Sequence, residues 1–223
     1  MGIYLYCLAD AQDPPPSGIG GVGDAIVTVR PVAGFTAWTS QLDAAPKPAL
    51  ASVRAHNRVV EAAAERATPV PFRFGQWFET EALAERALEA RRPELTAGLE
   101  RVRGTWEYGV RVLDPTHVHA PPDRSSGRAY LESLARREHD NEAARRRGLE
   151  VAVSLREWLG TRIREQRVRP LGSAGGLVAV AHLVDRHDTR SYDHRVREFP
   201  ARLPALRFLF SGPWPPYGFV ADD

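Results

Sequence analysis

From Thr105 onward the residue pattern switches between a period of two and a helical period in a fixed order, and that order limits the fold more than any other feature. Trp106, Tyr108, Val110 and Val112 alternate with Thr105, Glu107, Gly109 and Arg111, the signature of a half-buried strand. Gly127 to Gln166 is rich in Ala, Leu, Arg and Glu and predicts two or three helices, with breaks at Gly148 or Gly160. Arg167 to Leu171 and Leu177 to Val184 read as strands joined through Gly172 to Gly176. A helix over Ser191 to Leu203, frayed by Pro200, and a last strand over Leu206 to Phe210 complete the series. The result is β-α-β-β-α-β, the ferredoxin-like order, with an enlarged helical insertion in its first half.

The preceding residues form a different pattern. Ile3 to Leu8 is short, aromatic and β-branched, and predicts a strand; Ala25 to Val32 and Gly34 to Thr39 predict two more in a small meander. An amphipathic helix fits Ala49 to Arg66, with Leu50, Val53, Val60 and Ala64 at helical spacing and Pro69 and Pro71 closing it. Phe72 to Phe78 is a short aromatic strand or turn, and Glu79 to Val102 is helical with a kink or division at Pro93. The expectation is an α+β protein of two domains. Residues 1–103 form the N-terminal domain, 104–211 the ferredoxin-like domain, and 212–223 a C-terminal tail packing back on the first.

Composition removes several function classes. With 43% hydrophobic residues the 223-residue chain can bury a core without staples, and its single cysteine, Cys7, can make neither an internal disulfide nor a cysteine-rich zinc site. A reducing cytoplasm is the expected compartment. The amino terminus has no basic run before its apolar stretch and does not read as a secretory signal. The longest apolar run, Gly175 to Val184, is about half of the roughly 20 residues a membrane helix needs, so no membrane partner is expected. The 30 basic and 28 acidic residues are interleaved and leave a formal charge of +2, too little field to hold nucleic acid. The one basic cluster, Arg145 to Arg147, lies among Glu138, Asp140, Glu142 and Glu150 and predicts a salt-bridged, solvated helix face.

The possible chemical constellations are poor. The glycines of Gly18 to Gly23 lack the strand before and the helix after that a dinucleotide loop requires, and predict a flexible connection. Gly172 to Gly176 lacks the Gly-Lys-Ser/Thr ending of a phosphate loop. His117 and His119, and the looser group of His182, His187 and His194 with Asp185 and Asp188, match no zinc spacing and read as surface or hydrogen-bonded histidines. No hydrolase elbow is present, so neither a catalytic residue nor a cofactor is expected.

Two segments concentrate rings and prolines instead. One runs from Thr68 to Phe78 and contains Phe72, Arg73, Phe74, Gly75 and Trp77; the other runs from Ser211 to Val220 and contains Trp214, Pro215, Pro216 and Tyr217. Rings on a proline-stiffened backbone bury much area at low ordering cost, which suits an interdomain seam or a partner-binding surface. Arg73, between two rings, is expected to be partly buried and tethered.

At these residues the chain resembles the gas vesicle protein F/L family, essentially from end to end. The resemblance is carried by Tyr4-Leu5-Tyr6, His56-Asn57-Arg58-Val59-Val60 and Pro71-Phe72-Arg73-Phe74-Gly75. It continues through Gly104-x-x-Glu107-Tyr108-Gly109-Val110 and Gly127-x-Ala129-Tyr130-Leu131 to the ending Ser211 to Phe219. It departs at Asn57, where many members carry glutamate. The resemblance implies a non-enzymatic, cytoplasmic assembly protein and minor shell component. Its partner would be the major hydrophobic gas vesicle shell protein, with other accessory proteins beside it, and its place the gas-facing side of the shell. His56 and the residues of the two aromatic segments are the candidate partner-binding or interdomain residues. The alternative is a ferredoxin-like small-ligand-binding regulator or enzyme.

Overall fold

The computed structural model describes residues 1–9, 15–16, 18–116, 125–173 and 175–220. It is an α+β protein with two sheets, and the chain divides into two compact units: Met1–Glu107 with Pro213–Asp223, and Tyr108–Gly212.

In the first unit, β1 (Gly2–Leu8) is buried along its whole length because sheet neighbours and a helix cover it. β2 (Thr28–Val32) and β3 (Phe35–Leu42) form a hairpin, and β3 pairs antiparallel with β1. Between Leu5 and Cys7 the register shifts by one residue. Such a bulge re-aims side chains, and Tyr4, Tyr6, Cys7 and Ala9 all enter the same cluster as Trp38. Sequence alternation alone cannot place adjacent residues such as Tyr6 and Cys7 in one core.

α1 (Leu50–Arg66) covers that cluster with His56, Val59, Val60 and Ala63; Leu50, in the first turn, is exposed. β4 (Val70–Pro71) and β5 (Trp77–Phe78) both pair with β1. α2 (Glu81–Ala90) is capped by Thr80, whose hydroxyl accepts from the Leu83 N–H at 3.3 Å. α3 (Arg92–Val102) starts afresh with Pro93 in its first turn, where the missing N–H costs nothing. Pro93 therefore divides this helical stretch.

The glycine-rich stretch is not a loose connection where it is described. Gly21 donates to Ala25 O at 2.8 Å, the Val22 N–H donates to Tyr6 Oη at 2.9 Å, and a Cβ on Gly21 would lie 2.2 Å from that hydroxyl. The glycine lets the backbone press against a buried tyrosine.

β6 (Thr105–Leu113) leads into the second unit, whose sheet has the order β7-β8-β6-β9. α4 (Gly127–Leu159) is one continuous 33-residue helix, capped by Ser126 and stopped at Gly160, which has a φ of +57°. It does not break at Gly148. A Cβ there would lie 2.5 Å from the Leu177 carbonyl oxygen, so the residue lets the helix approach the sheet instead of ending it. β7 (Glu165–Ser173) and β8 (Gly176–Asp185) pair antiparallel. α5 (Thr189–Glu198) ends in a 3-10 turn carrying Pro200, and β9 (Arg207–Trp214) closes the sheet. Of the basic cluster, Arg145 bridges Glu138 and Glu142 as expected, whereas Arg147 pairs with the buried Asp114 at the end of β6.

Candidate functional site

The first aromatic segment is an interrupted edge strand. Leu8 pairs with Val70, Cys7 with Pro71, Tyr4 with Trp77 and Ile3 with Phe78. Between them the Phe72 N–H donates to Tyr6 O and the Leu5 N–H to Gln76 O, each at 2.9 Å. Tyr6 and Leu5 are adjacent while Phe72 and Gln76 are not, so residues 73–75 loop out of the strand. Gly75 makes the reversal at a φ of +102°, which a Cβ would strain.

A hydrogen-bonded chain holds this loop from beneath. The Gly75 N–H donates to Tyr4 Oη at 3.1 Å, and that hydroxyl meets His56 Nδ1 at 2.9 Å. His56 Nε2 lies 2.9 Å from Phe72 O. A carbonyl only accepts, so the proton sits on Nε2 and the tyrosine hydroxyl donates to Nδ1. Burial lowers the pKa of His56 and pushes Tyr4 up to about 12, which keeps both neutral. Phe74 packs on both rings, with centroids 6.2 Å from Tyr4 and 6.0 Å from His56. With both imidazole nitrogens engaged by protein atoms, the arrangement positions a loop and leaves no nitrogen for a metal or a proton transfer.

On the outer side lies a groove of about 230 Å³ lined by Val70, Phe72, Arg73, Leu95, Tyr217 and Val220, with neighbouring residues. Phe72 is buried, Phe74 half-buried and Arg73 exposed at the rim. The loop-out carries the guanidinium outward, so it is not the partly buried group expected. Trp77 donates from Nε1 to Leu42 O at 3.4 Å and packs on the core cluster.

The second aromatic segment supplies the other wall. Pro215, Pro216 and Phe219 are buried, and the Tyr217 hydroxyl donates to Asn57 Oδ1 at 3.3 Å. Trp214 departs from the group: it ends β9 and is 46% exposed. Glu107, absent from the expected site, fixes the turn by accepting from the Gly218 N–H at 2.7 Å, and a Cβ on Gly218 would stand about 3.0 Å from that carboxylate. The phrases Glu107-Tyr108-Gly109 and Tyr217-Gly218 are visible separately in the sequence, but no periodicity joins residues so far apart.

The loose histidine cluster separates. His182 is fully buried between Tyr192 Oη at 2.9 Å and Gln166 Oε1 at 3.0 Å, and burial lowers its pKa to about 3. His194 sits 3.4 Å from Glu198. Asp185, His187 and Asp188 offer ligand atoms within 4.8 Å of one another, but Asp185 is paired with Arg164 and His187 with Asp188. His117 and His119 lie outside the described residues.

A family model described as gas vesicle synthesis protein GvpL/GvpF matches residues 2–221. The chain belongs to this family. Gas vesicle protein F2 of Halobacterium salinarum is 28% identical, with 98% of this chain and 91% of that protein covered. Gas vesicle protein L of a Streptomyces species is 30% identical over 76% of this chain and 68% of its own length. The fold is that of two solved GvpF structures. The one from Microcystis aeruginosa has a TM-score of 0.73 at 18% identity, with 99% of each chain covered. The one from an Anabaena species has a TM-score of 0.78 at 17% identity and covers 100% of this chain and 97% of that one. Membership places the chain among gas vesicle synthesis proteins. Among the described residues no helix is long and apolar enough to cross a membrane.

Proposed function

We propose that this chain assists gas vesicle assembly by binding the major hydrophobic shell subunit, and that it stays in the vesicle as a minor component on the gas-facing side. The reading rests on the groove beside the looped-out edge. Its volume of about 230 Å³ is below the several hundred Å³ usual for small-molecule sites, and suits one or two apolar side chains of a protein partner. The floor of the groove is apolar, built on the buried Val70, Phe72 and Leu95 with the half-buried Val220 beside them, and Arg73 at the rim supplies orientation. A shell subunit that makes a hydrophobic surface needs such cover before it polymerises, and other accessory proteins of the vesicle are expected at the same stage.

The second unit is read as a ferredoxin-like domain, because its strands, numbered by their appearance from β6, stand in the order 2-3-1-4 with two intervening helices. The two units then act as separate domains. Hydrogen exchange that falls into two cooperative blocks, parted near Glu107 and Tyr108, is the expected outcome; one block throughout would refute it.

Binding should need neither nucleotide nor metal. Co-expression with the shell subunit and capture of the complex, with and without chelator, tests this directly. Capture is expected in both conditions and should weaken for Arg73→Glu. No co-purification would sink the proposal, and capture lost with chelator would sink its metal-free form.

A further inference from the structure

Helix α4 buries one stripe against its sheet, through Ala144, Gly148, Val151 and Leu155. A second stripe, turned roughly a third of a circle from the first at 3.6 residues per turn, faces solvent. Leu131 is 66% exposed, Leu134 38%, Leu149 44% and Val153 57%. Between the two apolar pairs stand Glu138 and Arg145, and the steps along the stripe are those of neighbours on one helix face. Single exposed apolar residues need no explanation, but two pairs aligned with an acid and a base between them do.

The order of these residues is symmetric about Asn141 and Glu142. Leu134 and Leu149 lie at equal distance from that point, as do Glu138 and Arg145, and Leu131 and Val153 match to within one residue. We propose that the stripe is a self-association surface, on which two copies of this chain pair their α4 helices antiparallel across a two-fold axis near Asn141 and Glu142. In that pairing Leu131 meets the second copy's Val153, Leu134 meets its Leu149, and Glu138 meets its Arg145, twice over by symmetry. A parallel pairing would set Glu138 on Glu138 and Arg145 on Arg145, so the charges select the orientation. Glu142 lies near the axis, where Arg145 of its own chain, 3.5 Å away, offsets it. Within one chain Arg145 uses Nη1 for both Glu138, at 3.2 Å, and Glu142, and a guanidinium carries further N–H groups that a second carboxylate can engage.

The stripe from Leu131 to Val153 is about 33 Å long at 1.5 Å per residue. One helix face of that length buries on the order of 1,000 Å² in a pair, near the lower limit for specific association. The dimer is therefore reversible and populated by concentration.

Sedimentation equilibrium of the full chain tests this, with Glu138→Arg, Arg145→Glu, and the two variants mixed. The average mass of the unaltered protein should rise from monomer toward dimer with concentration, and each variant alone should weaken self-association at least tenfold. The equimolar mixture should recover it, because the arginine introduced in one variant then faces the glutamate introduced in the other. Recovery also shows that both variants are folded. A chain that stays monomeric at every concentration overturns the proposal, including the case in which another protein occupies the face. So does a dimer that both single variants form as well as the unaltered chain.

Discussion

His56 shows how one neutral side chain can fix a loop. Replacing it with Ala leaves the Tyr4 hydroxyl and the Phe72 carbonyl without their buried partner, at a cost of roughly 2–4 kcal/mol. The expected result is a markedly lower melting temperature, and an unchanged one would mean that the loop is held elsewhere. His182 gives the clearer pH signature. Burial lowers its pKa from the ordinary 6.5 to about 3, so below pH 6.5 the unfolded chain takes up a proton that the native chain refuses. Its contribution is complete above about pH 6.5 and is lost as pH falls toward 3, at ~1 kcal/mol per pH unit within that window. His56, also lowered, acts in the same direction. Urea unfolding of the unaltered chain and of His182→Gln at pH 7.5 and 5 should show a smaller acid loss in the variant. An equal loss in both would place the sensitivity elsewhere.

Elements are legible in sequence where period and burial agree, and elude it where a close backbone approach decides. The alternation from Thr105 to Val112 predicts β6 because that strand covers a core on one side. A break at Gly148 is the natural expectation because glycine is a poor helix former, by about 1 kcal/mol relative to Ala. What keeps it there is the Leu177 carbonyl, a residue that helical spacing does not connect to it. Gly148→Ala should therefore destabilise by roughly 1–3 kcal/mol despite its better propensity, since α4 must move off β8. A stabilised variant, measured by its urea midpoint, would show that the helix has room. The 70–78 segment is legible as aromatic and extended. Its loop-out is not, because that depends on which β1 residues it bonds and on a tyrosine and a histidine beneath it. The bulge in β1 escapes for a like reason.

At the scale of the molecule, separated phrases of sequence carry the family, while the association of the groove walls comes from folding. Residues 213–220 belong with residues 1–107, from which they are separated by the whole second unit. Complete burial of Phe219 and partial burial of Tyr217 contribute several kcal/mol at about 25 cal/mol per Å². The prolines at 213, 215 and 216 reduce the entropy lost on ordering them. Ending the chain after Gly212 should lower stability and expose apolar surface that dye binding reports. If melting is unchanged and only capture of the shell subunit is lost, the segment serves the partner alone. The same discontinuity sets a schedule during synthesis. Tyr217 and Val220 leave the ribosome more than a hundred residues after Leu95, a delay of roughly ten seconds at ordinary elongation rates. Until then the groove has one wall, so a nascent chain that has completed residues 1–107 still lacks the surface that the folded chain presents.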